Sequence, residues 1–168
     1  MAYLDGDEGI LGRALLTQTW DLKINAFPGD RYFRWDHAGR TFADEIQIPL
    51  PPLQSVTSIS YVDTNGATQT LASSVYQVVT NGKWPAKIVA AYGQSFPEAR
   101  EQPNAVTVRF VAGYGAASDV PAPVHHALRL LISQWYENRE PVVVGRTAAS
   151  LPMAFDALID PLVVRAFG

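Results

Sequence analysis

The chain contains no cysteine among its 168 residues. Disulfides, thiolate metal sites and cysteine nucleophiles are thereby excluded, and nothing points to an oxidising compartment. There is no basic run, and the formal net charge is −3. Sequence-independent binding to a nucleic-acid backbone is therefore not expected as the main activity, although a weakly acidic surface tolerates DNA passing nearby. No apolar run is long enough to span a bilayer. The first residues, MAYLDGDEGILGR, have neither a charged n-region nor an apolar h-region and do not read as a secretory signal. A soluble protein, intracellular where it is made, is expected.

What is present is ordinary for a globular domain. Hydrophobic residues make up 48% and charged residues 17%, which is apolar enough for a core and too balanced for disorder. The length suits one domain, with room for a helical appendage.

The apolar periodicity changes along the chain. Residues 1–16 read as the remnant of an N-terminal helix followed by a turn, broken by Gly6, Gly9 and Gly12. Residues 17–115 read as an antiparallel β-rich region. In TQTWDLKINAF, Trp20, Leu22 and Ile24 alternate with Asp21, Lys23 and Asn25, as in a half-buried strand. DEIQIPL alternates through Ile46, Ile48 and Leu50. Pro49, Pro51 and Pro52 cannot donate to a ladder, so this strand belongs at an edge or ends there. SVTSISYVDTNGATQTL predicts a hairpin around Asp63-Thr64-Asn65-Gly66. VYQVV, AKIVAAY and AVTVRFVAGY are further strands, with GQSFPEAREQPN as a loop. Residues 116–168 read as helical. Pro121 and Pro123 suit the start of a helix that runs to about Arg139, and Ser150 is placed to cap a last short helix, LPMAFDALID. Strands first and helices last is the α+β pattern.

The segment PVHHALRLLISQWYENRE carries adjacent histidines, which raises the question of a metal or catalytic helix. At 100° per residue, Val124, Ala127, Leu128, Leu131, Ile132 and Trp135 form one stripe, and His126, Ser133 and Glu137 lie opposite. His126 and Glu137 stand roughly 16 Å apart along the axis, too far to share a metal. His125 and His126 diverge by about 100°, unlike an i, i+4 ligand pair, and Arg129 occupies the position where a second ligand would stand. A packing helix with solvent-facing histidines is expected, with no metal and no cofactor. Leu130 lies off the stripe, so a second side of this helix needs cover.

Other constellations also read as structural. GYGAAS follows a strand but matches neither a P-loop nor G-x-G-x-x-G. His37 near Asp36 and Asp44 has no nucleophile motif beside it and suits a polar loop. Trp35, Trp84, Tyr92 and Tyr114 could line a sugar-binding face, yet such aromatics more often fill a β-core or an interface. No enzymatic site can be assembled from these residues.

Four stretches, in order, carry a resemblance: GILGRALLTQTWDL, IPLPPLQSVTSISYVD, AYGQSFPEAREQPNAVTVRFVAGYG and VPAPVHHALRLLISQWYENRE. Together they resemble the phage head–tail connector (adaptor) proteins of the conserved phage protein type, found in tailed phages, prophages and gene transfer agents. The resemblance spans about residues 3–168. It implies a virion structural protein, present in the host cytoplasm during assembly. Its partners would be the portal and tail proteins and further copies of itself in a ring, with DNA passing but not specifically bound and no membrane involved. It also implies a helical part carrying a β-rich insertion.

Family members usually begin with additional helices before the stretch matching YLDGDEGILGR. Here the chain starts almost at that stretch, so helix 123–140 is expected to lack a packing partner. The chain alone is then expected to be a monomer or small oligomer. The residues expected at an interface are Leu130, the run Val142, Val143 and Val144, and Phe155, Leu158, Ile159, Leu162 and Val163 of the C-terminal segment. The alternative for that segment is that it folds back onto the chain's own β-domain. The alternative function is a carbohydrate- or receptor-binding β-module of a virion.

Overall fold

A computed structural model of the chain describes residues 4–29, 45–82, 84–137 and 153–164. Seven strands occur among them: β1 (Gln18–Ile24), β2 (Glu45–Ile48), β3 (Leu53–Val62), β4 (Thr68–Thr70), β5 (Tyr76–Asn81), β6 (Trp84–Ala90) and β7 (Val106–Ala112). Two helices follow, α1 (Ala122–Glu137) and α2 (Met153–Ile159). The fold is α+β.

The strands form two antiparallel sheets, ordered β1-β7-β3-β4 and β2-β6-β5. Period-2 alternation decides which side faces in. In β7, Val106, Val108, Phe110 and Ala112 are buried, while Thr107, Arg109 and Val111 point the other way. Its partners match that register: Trp20, Leu22 and Ile24 of β1 stand opposite Phe110, Val108 and Val106, and Ile59 of β3 stands opposite Val108. From the second sheet, Ile46, Ile48, Ala86 and Ile88 join the same cluster, so the two sheets close on one core as a sandwich. On the outer face, Asp21 stands opposite Arg109, and both guanidinium bonds to its carboxylate are 2.8 Å long. These bonds hold the Asp21 carboxyl below the usual carboxylate range.

The expected edge strand is found: among the described residues β2 pairs only with β6, and Pro49 follows its last residue. The expected hairpin joins β3 to β4. Asp63 accepts bonds from the Asn65 and Ala67 amides at 2.9 Å, and Gly66 takes φ +88°, which a side chain would resist. The loop 91–105 is pinned by Phe96, which stacks on Phe27 at 5.1 Å.

A second core lies beside the sandwich. It gathers Leu4, Leu11 and Leu15 from the N-terminal segment, Val120, Val124, Ala127 and Leu131 from around α1, and Phe155 and Ile159 from α2. Two sequence expectations are corrected here. Residues 4–16 are turns and bends rather than the remnant of a helix. Gly9 explains part of this: a Cβ there would lie 2.6 Å from the Leu4 carbonyl carbon, a closeness that only glycine permits. The helix also does not lack a packing partner, because this N-terminal segment and α2 cover it.

The cover is partial, which corrects the expected stripe. Val124, Ala127 and Leu131 are buried as expected, but Ile132 is 60% exposed and Trp135 58%. The reason is length. α2 has seven residues, about 10 Å of axis, whereas α1 has sixteen, about 24 Å. The interval from Val124 to Leu131 is all that so short a helix can shield, and the last turn of α1 runs past it.

Candidate interface

The helical half is organised by polar side chains that the sequence did not single out. Arg13 is 4% exposed, and its Nε donates to the carbonyl of Leu162. Asp5 accepts from the Leu15 amide at 2.8 Å and from Gln18 Nε2 at 2.7 Å. Gln54 Nε2 donates to Thr17 Oγ1 at 2.9 Å and to the Gly113 carbonyl at 2.8 Å. Arg13, which is buried, and Asp5, which is half-buried, sit where hydrogen-bond partners exist, as polar groups removed from water require, while Gln54 is exposed. Finding them from sequence would require knowing which turns meet.

An open groove of about 610 Å³ lies at the junction of the two halves, with walls from Pro52, Leu53, Tyr114, Pro121 and Leu162. Its polar members, Arg13 and Gln54, hydrogen-bond within the chain. They hold backbone segments together and do not converge on a common point as acid, base and nucleophile would.

The histidines behave as packing-helix residues. His126 is exposed, and His125 is half-buried with its Nε2 donating to the Ala117 carbonyl at 3.1 Å. Among the described residues, no three His, Asp or Glu side chains come together to hold a metal. Among the described residues, no helix is long and apolar enough to cross a membrane.

Of the aromatics considered for sugar binding, Trp84 begins β6 and Tyr92 lies beyond its far end, so roughly 20 Å of strand separates them. Tyr114 lies in the groove at the second core, and Trp35 falls outside the described residues. The described three do not form one platform.

The expected interface residues divide into three groups. Phe155, Leu158, Ile159, Leu162 and Val163 are brought together, but within this chain. Phe155 and Ile159 are buried, and the other three are half-buried against them. The C-terminal segment therefore folds back, onto α1 and the N-terminal turns. Leu130 is half-buried on α1. Val142, Val143 and Val144 lie outside the described residues. Exposed apolar side chains lie on the last two turns of α1, at Ile132, Trp135 and Tyr136, and on β5 and β6, at Val78, Val79 and Trp84. Adjacent Trp135 and Tyr136 cannot both lie on a single buried stripe, and that was the available signal in the sequence.

Comparison with known proteins proceeds from this architecture, a two-sheet sandwich with a helical half built from both ends of the described chain. No family model matches the sequence, and no curated protein matches it. Solved structures do. The chain is similar to a chain in the virion of a native gene transfer agent particle, with 26% identity and a TM-score of 0.69 over 96% of this chain and 73% of that one. It is similar to a chain in the neck of the native particle computed with C12 symmetry, at 26% identity and a TM-score of 0.66, covering 96% and 78%. A chain in the neck of the empty particle, computed with C6 symmetry, shares the fold at 24% identity and a TM-score of 0.67. These similarities support a structural role in a phage-like or gene transfer agent particle.

Proposed function

We propose that this chain is a head–tail connector: a neck component that joins a portal to a tail through protein–protein contacts, as one copy in a ring. The observation that carries this reading is similarity in both sequence and fold, over nearly the whole chain, to chains of a gene transfer agent particle and its neck. The physical character of the molecule supports it. Its polar groups are committed to holding segments together, and large apolar side chains stand exposed on the last turn of α1, as contact surfaces do. In this reading Ile132, Trp135 and Tyr136 join Leu130 and Val142–Val144 as contact residues. Leu158, Leu162 and Val163 contribute from the segment that Phe155 and Ile159 anchor.

The test is co-expression with the portal protein encoded in the same genome, followed by purification through a tag on the portal. Stoichiometric co-purification, with a ring of this chain beneath the portal in electron micrographs, is expected. Absence from purified particles and no association with portal would overturn the reading.

A further inference from the structure

We infer that Asp5 and Gln54 form a two-point latch that locks the helical half against the sandwich, so that the described chain moves as one rigid body. The inference concerns the isolated chain and stands independently of any particle it joins.

The two halves are connected at a narrow waist. One crossing is Leu15-Leu16-Thr17, which leads from the second core into β1, and the other is Gly113-Tyr114-Gly115, which leaves β7. The crossings pair with each other: the Tyr114 amide donates to the Leu15 carbonyl at 3.2 Å, and the Thr17 amide to the Gly115 carbonyl at 3.1 Å. A two-stranded ribbon of this kind can twist and bend about its own axis, and Ala14, which enters the sandwich core from the N-terminal segment, restrains it only at one point.

Two side chains add that resistance, one from each half. Gln54, in the sandwich, reaches from β3 to both crossings at once, bonding Thr17 Oγ1 and the Gly113 carbonyl through one amide nitrogen. The Gly113 amide in turn donates to the Pro52 carbonyl at 2.9 Å, so both polar backbone groups of Gly113 are fastened to the start of β3. Asp5, in the helical half, spans the other direction. One oxygen takes the Leu15 amide and the other takes the side chain of Gln18, the first residue of β1. The carboxylate is a charged acceptor with two bonds, the stronger class of hydrogen bond. Gln54 therefore ties the sandwich to the ribbon, and Asp5 ties the helical half to the sandwich. Both sets of bonds oppose rotation of the helical half about the ribbon.

The absence of cysteine makes the test direct. Cysteines placed at two exposed sites, Gln77→Cys on β5 and Ser133→Cys on α1, carry spin labels. Their distance distribution is measured by pulsed electron resonance in the otherwise native chain, in Gln54→Leu, and in Asp5→Ala combined with Gln54→Leu. Amide exchange at Val108 and Leu131 reports whether each core remains folded. The native latch is expected to give one narrow distribution. The double variant, with both cores still protected, is expected to broaden it about twofold or split it, the signature of a released hinge. Should the double variant lose its cores, Gln54→Leu decides, since that exposed side chain serves neither core: broadening supports the latch, and an unchanged width overturns it. A folded double variant as narrow as the native chain, or a native distribution already broad, also overturns it.

Discussion

Phe155 is the side chain on which the folded-back position of the C-terminal segment rests. It is 1% exposed and surrounded by Leu4, Leu11, Val124, Leu131 and the other members of the second core. Truncation in Phe155→Ala loses a buried aromatic transfer energy of about 2 kcal/mol. It also leaves a cavity of roughly 100 Å³, which at about 24 cal/mol per Å³ adds about 2 kcal/mol. The total, about 4 kcal/mol, is a large share of the 5–15 kcal/mol that holds a typical domain folded. Part of it can be hidden if α2 detaches before the rest unfolds, because a seven-residue helix has little stability of its own. The assay is therefore urea unfolding followed both by far-ultraviolet dichroism and by amide exchange at Leu131. Ile132→Ala, at an exposed position of α1, is the control and is expected to stay within about 0.5 kcal/mol of the native chain. The reverse order, a costly Ile132 and a neutral Phe155, would mean that α1 presents its other face to the core and that the C-terminal segment is not packed on it.

Two further outcomes are expected. Gly113→Ala should cost upwards of about 3 kcal/mol in urea unfolding, because φ is +123° and the new Cβ would meet the Leu16 carbonyl oxygen at 2.1 Å; strain at such a backbone conformation alone is about 1–3 kcal/mol. Stability should fall on acidification: Asp21 and Asp63 have carboxyls held below their ordinary values, by Arg109 in the first case and chiefly by Gln69 and the Ala67 amide in the second. Their contribution is complete above the unfolded carboxylate value near about 4 and is lost as pH drops through the folded values. Urea midpoints measured against pH should show this, and an acid limb unchanged in Asp21→Asn would contradict it for that pair.

Legibility from sequence followed the range of the forces involved. β1, β7 and the Asp63–Gly66 hairpin were readable because alternation and turn chemistry are local: Trp20, Leu22 and Ile24 declare their face within seven residues. The start of α1 was readable from its prolines. The extent of its buried face was not, because that depends on how far a separate short helix reaches along it. The N-terminal turns were misread because Gly9 owes its place to a close approach of Leu4 and Asp5, and a glycine so constrained looks in sequence like any helix breaker. Asp5, Arg13 and Gln54 stayed invisible for the same reason: their partners lie on other elements. The residues expected at an interface in 153–164 pack within the chain's own second core, because apolar character alone does not distinguish a side chain awaiting a neighbour from one already packed at home.

The second core has a consequence for biosynthesis. Arg13 and Leu162, which meet there, are 149 residues apart, whereas the last strand of the sandwich ends at Ala112. On the ribosome, at roughly 5–20 residues per second, the sandwich can close several seconds before α2 emerges. During that interval Leu4, Leu11 and Leu15 have no α2 to cover them. The nascent chain thus passes through a stage in which a finished β-domain displays the uncovered apolar segment 4–15, and this is the stage at which chaperone binding or premature association of neighbouring chains should concentrate.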